Sequence, residues 1–133
     1  DWFHGQDEAN LSLLARSLKT GAVVGIVSLS QIFRRGFQNA YLSYYGARAM
    51  AGRGMMTEAV RLGLDYAFEE LHLHRVEANI QPGNERSIAL IRRLGFRLEG
   101  FSPRYLYIDG DWRDHQRWAM LSEDWPQADG AGL

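Results

Sequence analysis

Ala49-Met50-Ala51-Gly52-Arg53-Gly54-Met55-Met56-Thr57-Glu58-Ala59 is where the chain changes period, and its reading decides the fold. Upstream, Ala40-Tyr41-Leu42-Ser43-Tyr44-Tyr45 is aromatic-rich and of strand length. Downstream, Met56, Ala59, Val60, Gly63, Ala67 and Leu71 recur at helical spacing, with Glu58, Arg61, Asp65 and Glu69 marking the opposite face. Glycines at such a strand-to-helix junction let backbone amides approach a ligand closely. The amides that open the helix lie at its positive end and suit a phosphate. The stretch is no Walker loop, because Gly-Lys-Ser/Thr is absent, and no dinucleotide fingerprint, because position 57 is threonine. Taken alone, it reads first as a tight strand-to-helix turn.

Outward from the junction, two more strands are predicted before it. Leu11 to Leu18 and the β-branched run Ala22 to Leu29 flank a Lys19-Thr20-Gly21 turn as a hairpin. Residues 1–10 read as loop, and so does Phe33-Arg34-Arg35-Gly36-Phe37. After the helix, Arg75-Val76-Glu77-Ala78-Asn79-Ile80 alternates, which places Val76, Ala78 and Ile80 inward and Arg75, Glu77 and Asn79 outward. Asn84 is a good N-cap for a short helix carrying Ile88, Ile91 and Leu94, and Gly95-Phe96 fits its C-terminal stop. Arg97 to Leu121 reads as two strands joined by an Asp109-Gly110 turn, and residues 126–133 as a loose tail. Strands and helices in this order make an α+β (mixed α/β) domain, expected to be single over 1–133.

Composition excludes several classes. The chain has 133 residues, 46% hydrophobic and 12% aromatic, and a net charge of −1, which is not the make-up of a disordered chain. No apolar run approaches the roughly 18–20 residues that span a bilayer; the best, Ala22 to Val27, is interrupted by Gly25. Without cysteine there is no disulfide scaffold and no cysteine-based zinc or redox site. Near-neutral charge argues against direct nucleic-acid binding. Of the four histidines, His72 and His74 stand as an i,i+2 pair without a third ligand at helpful spacing, so no metal is expected.

Several motifs occur in fixed order. Gly52-x-Gly54 and Met56-Thr57-Glu58-Ala59 are followed by His74-Arg75-Val76-Glu77-Ala78-Asn79, Asn84-x-x-Ser87-Ile88 and Gly95-Phe96-Arg97-x-Glu99-Gly100. Tyr105-x-x-Ile108-x-Gly110-x-Trp112-x-Asp114-His115 comes last. Together they resemble the GNAT acyl-CoA N-acyltransferases, and within them the ribosomal-protein-alanine N-acetyltransferase (RimJ/RimL) group, over Tyr41–Trp125 and more weakly back to Val24. The resemblance implies a central mixed, mostly antiparallel twisted sheet flanked by helices. It also implies acetyl-CoA as co-substrate, held by Ala49, Ala51, Gly52, Arg53, Gly54 and Met55, with Asn84 and Ser87 along the pantetheine arm. The family loop begins with Gln or Arg where this chain has Ala49, which removes a side-chain contact and leaves the amide cradle. The family's first strand and helical segment, one wall of the acceptor cleft, are expected to be missing from a chain that begins at Asp1.

Acetyl transfer by direct attack in a ternary complex needs a neutral amine, a path for its proton and stabilisation of the departing thiolate. Many relatives in the superfamily carry a tyrosine acid where this chain has Ile91, so that role passes to Ser87, which has a second reading as a helix-start serine. Glu77 is the candidate base, or else an ion-pair glutamate beside Arg75; Asn79 could hold a water. An N-terminal amine has a pKa of ~7.7–8.0 against ~10.4 for lysine, so an enzyme with no strong base is better matched to an N-terminus. The expectation is thus a cytoplasmic N-acetyltransferase, monomer or homodimer, acting on a protein N-terminal α-amine. The alternatives are a small-amine (antibiotic or polyamine) acetyltransferase and a catalytically silent acyl-CoA-binding module.

Overall fold

The computed structural model describes residues 4–6, 9–46 and 54–125, arranged as two compact units, Asp1–Val76 and Glu77–Leu133. The first unit opens with a four-stranded antiparallel meander: β1 (His4–Gln6), β2 (Leu11–Arg16), β3 (Val23–Phe33) and β4 (Asn39–Gly46). Alternation sets its two faces. Leu13, Ala15, Val27, Leu29, Ala40 and Leu42 are buried on one. On the other, Ser12, Ser28 and Ser43 stand in register across three strands, with Ser12 Oγ and Ser28 Oγ 3.1 Å apart. Gly21, at φ +75°, turns the β2–β3 hairpin and donates its N–H to the Ser17 carbonyl at 2.8 Å. One predicted loop is corrected here: the 1–10 stretch contributes the short strand β1, whose polar composition hid pairing supplied by β2. The loop predicted at Phe33–Phe37 stands over residues 34–37, with Phe33 itself closing β3.

Helix α1 (Met55–Asp65) buries Ala59, Val60 and Gly63 of the stripe its spacing predicts, with Leu64 beside them. The pattern that runs on to Leu71 is not one regular helix. Tyr66–Glu70 widens into a π-helical turn, with the Leu71 N–H donating to the Tyr66 carbonyl at 3.0 Å. Arg34 Nη1 closes its end by donating to the Leu71 carbonyl at 2.6 Å. The same β3–β4 loop receives the N–H groups of His74 and Arg75 on the Gln38 carbonyl. The Arg75 guanidinium in turn lies 5.9 Å from the Phe37 ring centroid and donates to Asn39 Oδ1.

Strand β5 (Arg75–Ile80) leads into the second unit, where the sheet order is β5-β7-β6. Helix α2 (Glu85–Arg93) follows Asn84, then β6 (Arg97–Ile108) and β7 (Asp111–Leu121) form an antiparallel hairpin. The end of α2 is a Schellman motif: Gly95, at φ +95°, donates to the Arg92 carbonyl, and Phe96 to that of Ile91. Asp109 and Gly110 both have positive φ, as a two-residue type I′ turn demands. The core of this unit is Leu90, Ile91, Leu94, Phe96, Trp118, Met120 and Trp125.

Candidate functional site

The start of α1 is built on Gly54, whose φ of +73° is a conformation that costs a side-chain-bearing residue about 1–2 kcal/mol. Among the described residues no side chain caps this helix, so none of them offers a capping oxygen to the N–H groups of Met55, Met56 and Thr57. Glu58 is the first to close a helical bond, to the Gly54 carbonyl at 3.2 Å. Uncapped amides at a helix's positive end fit a phosphate of the kind CoA carries. Ala49, Ala51, Gly52 and Arg53 lie outside the described residues.

In the second unit the predicted residues gather into two pairs. Asn84 accepts the Ser87 N–H on Oδ1 at 3.2 Å, which makes it the N-cap of α2, as its residue type predicts. The amide nitrogen takes no part in that cap. Ser87 is half-buried in the first turn. Ile91 is fully buried, so the position where relatives carry an acid is core in this chain.

The second pair corrects the alternation argument. Glu77, read as outward and therefore solvated, is only 5% exposed, because β5 is covered on both faces. Asn79 Nδ2 donates to Glu77 Oε2 at 3.0 Å, holding the carboxylate from two residues along the same strand. Asn79 Oδ1 is buried and has no hydrogen-bond partner among the described residues. An acceptor closed off in that way costs about 1–3 kcal/mol unless a donor reaches it, so the place calls for a water or an amine N–H.

Tyr105 packs edge-on against the buried His115, and Tyr107 against Trp112. Among the described residues, no three His, Asp or Glu side chains stand together as metal ligands. Sequence reading passed over Gly25 as an interruption of an apolar run; a lone glycine inside a strand is the signal that another group approaches closely.

Comparison with known proteins agrees with this geometry. The probable N-acetyltransferase YjcK of Bacillus subtilis is 46% identical over 102 residues, 77% of this chain and 56% of its own length. The [ribosomal protein uS5]-alanine N-acetyltransferase of Escherichia coli is 40% identical over 103 residues, 77% of this chain and 53% of its own. A spermidine N(1)-acetyltransferase of the same species is 28% identical over 123 residues, 92% of this chain and 63% of its own. The structure of Mycobacterium smegmatis RimJ in complex with CoA-disulfide superposes with a TM-score of 0.85 at 36% identity, over 93% of this chain and 61% of that one. The chain thus spans little more than half the length of the first two relatives. The family model of the acetyltransferase (GNAT) domain matches residues 1–97, and with the glycine-headed α1 and the ordered motifs of β5 and α2 in place, the chain belongs to that family.

Proposed function

We propose that the protein transfers an acetyl group from acetyl-CoA to a primary amine, and that the amine is a protein N-terminus. The observation that carries this reading is the uncapped start of α1 behind a φ +73° glycine, in a chain of the GNAT family. Acetyl-CoA supplies the activated acyl group. The Met55–Thr57 amides, with Gly52, Arg53 and Gly54 and the backbone of Ala49 and Ala51, bind its pyrophosphate. Asn84 binds the pantetheine arm through its amide nitrogen. The amine attacks the thioester carbonyl, the C–S bond breaks, and the amine's proton must leave as the thiolate gains one.

Glu77, fixed by Asn79, takes the amine's proton through a water donating to Asn79 Oδ1, and Ser87 supplies a proton or hydrogen bond to the departing sulfur. About a tenth of an α-amine is neutral at pH 7, against well under a thousandth of a lysine side chain, so this modest machinery fits an N-terminus. The 40% identity to a ribosomal-protein-alanine acetyltransferase supports the same choice. No helix among the described residues is long and apolar enough to cross a membrane; a cytoplasmic monomer or homodimer is the setting we propose.

The test is an acetyl-CoA assay over N-terminal peptides, internal-lysine peptides and polyamines, read by mass spectrometry. N-terminal peptides are expected to be acetylated first. Preferential acetylation of polyamines, the second reading that the spermidine acetyltransferase match favours, would replace the protein acceptor. Binding of acetyl-CoA without turnover on any amine would mark a silent module.

A further inference from the structure

We infer that Gly25 and Gly63 are positioning residues for cofactor binding: each is a socket that receives a side chain from the facing element, and together they fix where the amides at the start of α1 stand. A β-carbon added at Gly25, on β3, would stand 2.7 Å from the Tyr45 carbonyl oxygen and 2.9 Å from Met56 Sδ. One added at Gly63, on α1, would stand 2.8 Å from Val27 Cγ1. The exchange is reciprocal. The helix sends Met56 into a glycine of the strand, and the strand sends Val27 into a glycine of the helix.

Both glycines are buried, and Gly25 and Val27 lie two residues apart on the same face of β3. Neither Gly25 nor Gly63 has the positive φ that would require glycine for backbone reasons, so space alone accounts for them. Met56 and Gly63 are two helical turns apart, roughly 10 Å along the axis. Contacts at two separated points set both the rotation of a helix and its axial position, whereas one would leave it free to pivot. Close-packed interiors transmit a displacement of one methyl rather than absorb it.

Met56 links the lock to function. Its side chain fills the Gly25 socket, while its backbone N–H is the second amide of the uncapped first turn. A methyl group at position 25 meets the backbone of β4 at Tyr45 first and the Met56 thioether next, so it presses on α1 through the side chain of the residue that carries one of these amides. This inference rests on the proposed cofactor role of that turn. Misplacement by about an ångström is enough to lose one or two orders of magnitude where geometry matters.

The experiment compares wild type, Gly25→Ala, Gly63→Ala and the double variant Gly63→Ala/Val27→Ala in the full chain. It reads CoA affinity by calorimetry and the backbone amide signals of residues 55–58 by NMR. Alanine is the stronger helix former, so any loss at position 63 is steric. Each single variant, still melting cooperatively, is expected to bind CoA about tenfold more weakly and to shift the amide signals. The double variant should return affinity to within about twofold and restore the signals, because it removes from Val27 the γ-methyl that the new β-carbon would meet. Wild-type CoA affinity and unmoved signals in the single variants would overturn the lock, as would a double variant that recovers neither. A wild-type protein with no CoA affinity would instead overturn the proposed function, and the amide signals would still decide the lock. If Gly25→Ala does not fold, the Gly63/Val27 pair decides alone.

Discussion

The two helices begin in opposite ways. Helix α2 answers its own first turn: Asn84 Oδ1 takes the Ser87 N–H, and Glu85 puts a carboxylate beside the helix's positive end. Helix α1 opens on Gly54 with no capping side chain among the described residues, and its first-turn acid, Glu58, is paired with Arg61 at 3.5 Å. Both starts follow a strand, and both lie within the family's matched segment. The difference teaches where folding and binding divide. Each first turn carries one acid, Glu58 or Glu85, so the difference lies in the capping acceptor: a helix that supplies its own is complete without a ligand, while one that lacks it presents its amides to an anion from outside.

Ser87 offers the sharpest way to break this contrast, and the largest expected effect. Its backbone N–H serves the α2 cap and its hydroxyl is assigned to chemistry, so Ser87→Ala separates the two. Turnover should fall by about 10²-fold, the lower range for a lost proton donor. CoA affinity should fall far less than turnover, and the thermal midpoint should stay near that of wild type. Equal losses in turnover and CoA affinity would place the hydroxyl in binding instead.

Gly54→Val comes next. A β-branched residue at φ +73° is strained, and the strain falls on the amides α1 presents. CoA affinity should drop about tenfold or more, and stability by about 1–2 kcal/mol. Calorimetric titration beside a denaturant melt measures both. Unchanged affinity would mean that the first turn of α1 does not hold the cofactor.

What could be read beforehand follows the same division between local and distant causes. Asn84, Gly95-Phe96 and Asp109-Gly110 were legible because each acts on backbone within a few residues of itself, and the structure places all of them as their types predict. The burial of Glu77 was not legible. Alternation in Arg75–Ile80 separates two faces but cannot say that the second face is covered too. The π-helical turn at Tyr66–Glu70 was hidden for a similar reason, since Ala67 and Leu71 keep helical spacing while Arg34, far away in sequence, closes the helix end. The reciprocal seats of Met56 and Val27 require knowing which helix face meets which strand, and no periodicity carries that information.

The smallest effect tests the α2 side of the comparison. Asn84→Ala removes the cap acceptor and should lower stability by about 1 kcal/mol in a denaturant melt. Asn84→Asp keeps an acceptor for the Ser87 N–H and adds a charge at the positive end of the helix, so its stability should match or exceed wild type by a few tenths of a kcal/mol. The aspartate has lost the amide nitrogen assigned to the pantetheine arm, so CoA should bind less tightly to this variant although it is no less stable. That opposition between fold and ligand is what a residue with its oxygen in the helix and its nitrogen towards the cofactor must show. If Asn84→Asp kept full CoA affinity, Asn84 would be a cap and nothing more, and α2 would leave cofactor binding to the start of α1.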